Sequence, residues 1–202
     1  MTPLDAATSL AVHRSRKLIA EFRLHRPRSA TEAVALKAEA GAGAVFMAGD
    51  PSYDFALAAM AADARLHFLS LDSSPVVFAA VDGVANQVGL LTAIEFPLGS
   101  TLRLLFDRSL RPIVTLALGL NFVDGHITGG RAAIGCAYPV VVAAKLPFDE
   151  PLPPVKLACG AAPLAQAVAA ELPEPLGDGH GSSGYRQRMI ELLLRRNLGA
   201  VA

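Results

Sequence analysis

The chain has no tryptophan, three tyrosines and two cysteines among 202 residues. Cys136 and Cys159 stand far apart and outside any C-x-x-C arrangement. That excludes a disulfide scaffold, a zinc ribbon and a cysteine-held iron–sulfur cluster within this chain. Charge is sparse and balanced: charged residues make up 18%, with 18 Lys plus Arg against 18 Asp plus Glu. A neutral chain lacks the field that gathers nucleic acid or anionic lipid, so neither is expected as a main partner. Long apolar runs are missing too. The longest, Ile113 to Val123, falls short of the about 20 residues a membrane helix needs. Residues 1–20 place Asp5 early and His13, Arg14, Arg16 and Lys17 late, the reverse of a secretory leader, so a cytoplasmic protein is the expectation.

What the chain has in quantity is apolar surface, 52% of its residues. Disorder is therefore excluded, and a chain of this size needs no metal to close a core. Residues 1–21 show no clear period and read as a short helix or an arm. Phe22 to His25 reads as extended and Pro27 stops it. Ser29-Ala30-Thr31-Glu32 is a capping box opening a helix to about Ala40, with Gly41 as its terminator. Ala44 to Met47 reads as a strand, so this stretch is expected to be a strand–helix–strand unit. Asp50-Pro51-Ser52 starts a second helix, to about Ala64. Leu66–Leu71, Val76–Ala80 and Leu90–Phe96 read as strands. Two apolar runs between Ile113 and Tyr138 flank Asp124-Gly125, whose residues accept the positive φ angles of a tight hairpin. Pro147 to Pro154 reads as a loop, Ala161 to Leu172 as a helix, Gly177 to Gly184 as a glycine-rich loop. A last helix starts near Ser182, with Tyr185, Met189, Leu192, Leu193 and Arg196 on one face and Arg186 mostly off it. These elements make an α+β protein.

No catalytic constellation is visible. The five histidines, His13, His25, His67, His126 and His180, share no metal-ligand spacing, and neither cysteine has a base near it in sequence. Three glycine clusters have the composition of a phosphate cradle. Gly41-Ala42-Gly43 follows a helix, where a cap is expected. Gly129-Gly130 lies within a strand and marks a bulge. The Gly177–Gly184 loop precedes a helix, where amides can hold an anion, but a loop plus N-cap is the plainer reading. The basic groups 13–17 and 25–28 read as solvated faces.

Phe22-Arg23-Leu24-His25-Arg26-Pro27-Arg28-Ser29-Ala30-Thr31-Glu32-Ala33 resembles the opening of the FAD-binding, or medium, subunit of molybdenum hydroxylases, the relatives of xanthine dehydrogenase and aerobic carbon monoxide dehydrogenase. Leu91 to Pro97 resembles that family's "L-L-T-x-I-x-x-P" strand. Asp124-Gly125-His126-Ile127 with Arg131 to Gly135 resembles its "D-G-x-I-x-x-A-R-I-A-x-G" hairpin. Ser182 to Arg196 resembles its closing "S-x-x-Y-R" helix. The resemblance implies a shortened remnant of the flavin domain over residues 1–85, then over 86–202 a C-terminal domain with an antiparallel sheet packed on helices. It also implies two partners: a large molybdopterin-binding subunit and a small subunit with two [2Fe–2S] clusters. No metal is implied in this chain.

One departure stands out. The family wraps the FAD pyrophosphate with two loops, "A-G-G-T-D" and "T-I-G-G-N". Here Ala48-Gly49 runs straight into Asp50-Pro51-Ser52-Tyr53-Asp54, which resembles a "D-P-x-x-D" segment lying after the second loop. An internal deletion near residue 49 accounts for this. By resemblance the cofactor contacts left are Ala48, Gly49 and Asp54. A buried pyrophosphate needs several amide donors, and each missing one costs roughly 1.5–3 kcal/mol. The expectation is a structural subunit with lost or impaired FAD binding. The alternative is a working FAD-binding electron-transfer subunit.

Overall fold

The computed structural model describes residues 24–41, 53–80, 89–97, 101–109 and 113–201. The expected arm over 1–21, the strand at 44–47, the helix start at 50–52, and Ala48 and Gly49 lie outside the described residues.

The fold is α+β: among the described residues, two antiparallel sheets with five helices packed on them. Helix α1 (Ala30–Ala40) opens with the expected box: Ser29 Oγ accepts from the Glu32 amide at 3.1 Å, and Glu32 reaches back to the Arg28 amide at 2.7 Å. Gly41 ends it at φ +63°. Helix α2 (Tyr53–Ala61) follows, shorter than its alanines promised, because Asp63 turns the chain at φ +55°.

Strands β1 (Arg65–Ser70), β2 (Pro75–Ala79) and β3 (Gly89–Glu95) form the first sheet in the order β2-β1-β3. Asp72 ties the β1–β2 turn, its carboxylate accepting from the Ser74 amide and from the Ser70 hydroxyl. Helix α1 lies against β1 and β3 and buries Ala33 and Val34. The sheet joins strands from both sides of the boundary expected near residue 85.

The second sheet runs β4-β5-β6-β7, with β4 Leu102–Arg108, β5 Thr115–Val123, β6 His126–Gly135 and β7 Val142–Lys145. The β5–β6 hairpin turns at Asp124 (φ +48°) and Gly125 (φ +77°), as its sequence requires. Gly129 does sit beside an irregularity: Asn121 faces Gly129 while Phe122 faces Ile127, so Thr128 is the extra residue. The proline-rich loop is shorter than expected. Pro154 begins helix α3 (Pro154–Cys159), because proline at the first turn gives up an amide that has no partner there. Helices α4 (Ala161–Glu171) and α5 (Ser183–Gly199) complete the chain.

Both faces of the second sheet are covered, and strand alternation decides which residue serves which face. Leu116, Leu118, Leu120 and Ile134 point to α4 and α5 and form the larger core with Ile190, Leu193, Leu194 and Leu198. Ala117 and Ala133 point the other way, into a second core with Leu57, Met60, Leu66 and Phe68.

Candidate functional site

The region that the resemblance points to begins at α2. Asp54 lies in the first turn of this helix. What holds the helix is packing against β5 and β6, and small residues allow the approach. A Cβ on Gly119 would stand 2.0 Å from the Ala61 carbonyl oxygen, so only glycine fits there. Gly135 serves Leu57 likewise: a Cβ there would meet Thr115 Oγ1 at 2.7 Å and the Leu57 methyls at 3.4 Å. Leu57 itself is fully buried. Below the helix, Arg131 of β6 donates to Asp63 at 3.0 Å, joining the end of α2 to the sheet.

A dinucleotide fits against glycine when the absent Cβ leaves a space for phosphate. The described close-approach glycines leave none. Gly89 is filled by the Leu69 carbonyl, Gly119 by that of Ala61, Gly130 by the Gly119 carbonyl with Leu120 and Leu146, and Gly135 by Thr115 and Leu57. None of these four glycines therefore offers room to a phosphate. Ala48 and Gly49 lie outside them.

The glycine-rich loop before α5 does hold an anion, but the anion belongs to the protein. Asp178 Oδ1 accepts from the His180 amide at 2.8 Å and the Gly181 amide at 3.1 Å. Its Oδ2 accepts from Arg186 Nη2 at 2.6 Å. These donors hold the Asp178 carboxyl below the usual aspartate range, the His180 amide foremost, then Arg186. Arg186 Nη1 also donates to the Cys136 carbonyl at 2.6 Å, where the chain leaves β6 at φ +62°. Nearby the Tyr138 hydroxyl donates to the Pro173 carbonyl at 2.9 Å, and burial raises its pKa. Ser182 caps α5 by accepting from the Tyr185 amide. The loop is thus a clasp between β6 and α5.

This clasp corrects the helix face read from the sequence. The side chain of Arg186 is 5% exposed, whereas Tyr185 and Leu192 are exposed and the Arg196 side chain is 57% exposed. The buried face is Arg186, Ile190, Leu193, Leu194, Asn197 and Leu198. An arginine is tolerated in the interior when a carboxylate and a carbonyl accept hydrogen bonds from its guanidinium. Nothing local in the sequence tells that Asp178 and Cys136 converge on it. At the other end of α5, Asp107 of β4 accepts from Arg196 Nε at 2.5 Å and Asn197 Nδ2 at 3.1 Å.

Among the described residues no group of three or more His, Cys, Asp or Glu is placed to hold a metal, and no helix is long and apolar enough to cross a membrane. His67 pairs with Glu95 at 3.0 Å across β1 and β3, on the surface. Cys136 lies half-buried beside Thr115 and Cys159 is exposed.

No protein-family model matches the chain, and no curated protein matches it. Solved structures do resemble it. A chain of quinoline 2-oxidoreductase from Pseudomonas putida 86 superposes with a TM-score of 0.58 at 22% identity, covering 81% of this chain and 57% of that one. A chain of the Cu,Mo-CO dehydrogenase superposes at 0.53 with 19% identity, covering 76% of this chain and 59% of that one. A chain of carbon monoxide dehydrogenase from Hydrogenophaga pseudoflava gives 0.50 at 14% identity, with coverages of 70% and 53%. The likeness is one of fold, and this chain spans less than two thirds of each solved chain.

Proposed function

We propose that the chain is a medium-subunit homologue in a molybdenum hydroxylase complex, a structural subunit with lost or impaired FAD binding. The observation that carries this reading is the asymmetric coverage: 81% of this chain aligns, but only 57% of the solved chain is used. A chain shortened within its flavin domain behaves in that way. In this reading residues 1–85 are what remains of the flavin domain and 86–202 are the C-terminal domain. The partners are a molybdopterin-binding large subunit and a [2Fe–2S] small subunit, and their electrons leave through another acceptor.

The test is purification of the assembly formed in the native host, followed by its visible spectrum after the iron–sulfur contribution is subtracted. Recovery of both partners without a stoichiometric flavin band supports the proposal. A stoichiometric flavin that Asp54→Ala releases overturns it and assigns the site to Ala48, Gly49 and Asp54. A chain that recovers neither partner sinks the subunit reading altogether.

A further inference from the structure

We infer that two copies of this chain associate edge to edge through β4, joining their four-stranded sheets into one. The inference is independent of the subunit reading above. It begins from the free edges. A sheet edge exposes unpaired amides and carbonyls, and folds usually blunt it with proline, a bulge or brevity. Among the described strands, three of the four edges are blunted so: β2 starts at Pro75, β3 faces a register break between His67 and Phe68, and β7 has four residues. Strand β4 has seven residues, no proline and an unbroken register with β5. No described strand covers its outer side.

The open hydrogen-bonding groups can be named. The Thr101 carbonyl accepts from the Phe122 amide, and the Ser109 amide donates to the Val114 carbonyl. Bonded and non-bonded residues alternate along an antiparallel ladder. The odd-numbered residues therefore bond to β5, and Leu102, Leu104 and Phe106 turn their amides and carbonyls outward; the Arg108 carbonyl does so too, while its amide donates to Asp107 Oδ1 at 2.8 Å. An antiparallel copy must match outward residue with outward residue. Centring the two-fold axis on Leu105 does this: Leu104 meets Phe106 with both bonds open, Leu102 meets Arg108 through the Arg108 carbonyl, and Leu105 meets itself.

That register also pairs the side chains. Arg103 of one copy falls opposite Asp107 of the other, in the non-bonded position where side chains come closest. Both lie on the face turned to α4 and α5, since their cross-strand partners Leu120 and Leu116 belong to that core. The Asp107 carboxylate would lie between Arg196 of its own chain and Arg103 of the other. On the opposite face Leu104 and Phe106, 44% and 47% exposed, would cover each other. The strand is complementary to itself in hydrogen bonding, apolar contact and charge, and this selects a second copy as its occupant.

Sedimentation of the full chain over a range of concentrations tests the inference. A reversible dimer is expected, and Leu104→Lys should weaken it by about tenfold or more, since the change enters twice. At concentrations where the parent is monomeric, the variant's circular dichroism melt should match the parent's, because the side chain is exposed. The register is read by cross-linking in a Cys159→Ser background. Leu104→Cys chains mixed with Phe106→Cys chains should form disulfide dimers faster than either alone. A chain that stays monomeric throughout overturns the inference, leaving the edge to another protein's strand. A dimer indifferent to Leu104→Lys, or a mixture that links no faster than its components, overturns it equally.

Discussion

Arg186 is the residue on which the C-terminal half is tied together. Its guanidinium joins the Asp178 turn, the Cys136 carbonyl and the packed face of α5. Truncation to alanine removes two charge-assisted bonds and leaves the Cys136 carbonyl unpaired. We expect a loss of about 2–4 kcal/mol in urea unfolding. The conservative Arg186→Lys should recover only part, since an ammonium has no fork to span both acceptors. Asp178 carries the matching pH signature. Its folded pKa is depressed, so its contribution is present above the unfolded value, about 3.9. It is lost as pH falls through the folded one. Thermal melts of Asp178→Asn should therefore lie below the parent at neutral pH, and the gap should close below about pH 4. A gap that persists into strong acid would contradict this. Asp107 behaves in the same direction: burial raises its pKa, but Arg196, the Arg108 amide and Asn197 together outweigh that.

The decisive contact between elements is α2 on β5 and β6. Gly119 and Gly135 let the helix approach, and Ala117 and Ala133 give it a smooth floor. Gly119→Ala places a methyl carbon into the Ala61 carbonyl, and both partners are backbone. The helix must move away or the strand must bend, at a cost of roughly 1–3 kcal/mol measured by denaturant unfolding. Caps are a smaller matter. Ser182→Ala should cost about 1 kcal/mol by orphaning the Tyr185 amide. The elements differ in how legible they were. The capping box of α1 and the Asp-Gly hairpin announce themselves, because the relevant hydrogen bonds and φ angles lie within four residues of sequence. Strands β4 and β7 were missed: Leu102–Arg108 mixes apolar and charged residues without strict alternation, and Val142–Lys145 is very short. Arg186 was assigned to the wrong face for a different reason. Periodicity treats arginine as polar, but its partners come from eight and fifty residues away.

On the scale of the whole molecule, the second sheet is shared by both cores. Its β5 and β6 strands offer alternate residues to α4 and α5 on one side and to α2 on the other. The two halves suggested by the family resemblance should thus unfold together. Leu57→Ala, made in α2, is expected to cost about 2–5 kcal/mol. It should lower hydrogen-exchange protection in β5 and β6 by a similar amount, with coincident transitions by fluorescence-independent probes such as far-ultraviolet dichroism and exchange. Protection lost in α2 alone would show that the halves are separate units.

The sequence by itself determined the α+β class, the capped helix α1 and the tight hairpin. Each rests on composition or on bonds between near neighbours. Only the tertiary structure decided that Arg186 is interior, that Asp178 is the anion of the glycine-rich loop, and that four glycines are filled by the protein's own atoms. Those outcomes depend on groups far apart in the chain meeting at hydrogen-bond or van der Waals distance. Local pattern carries no record of such a meeting, because burial of a charge or a missing Cβ acquires meaning only from what packs against it.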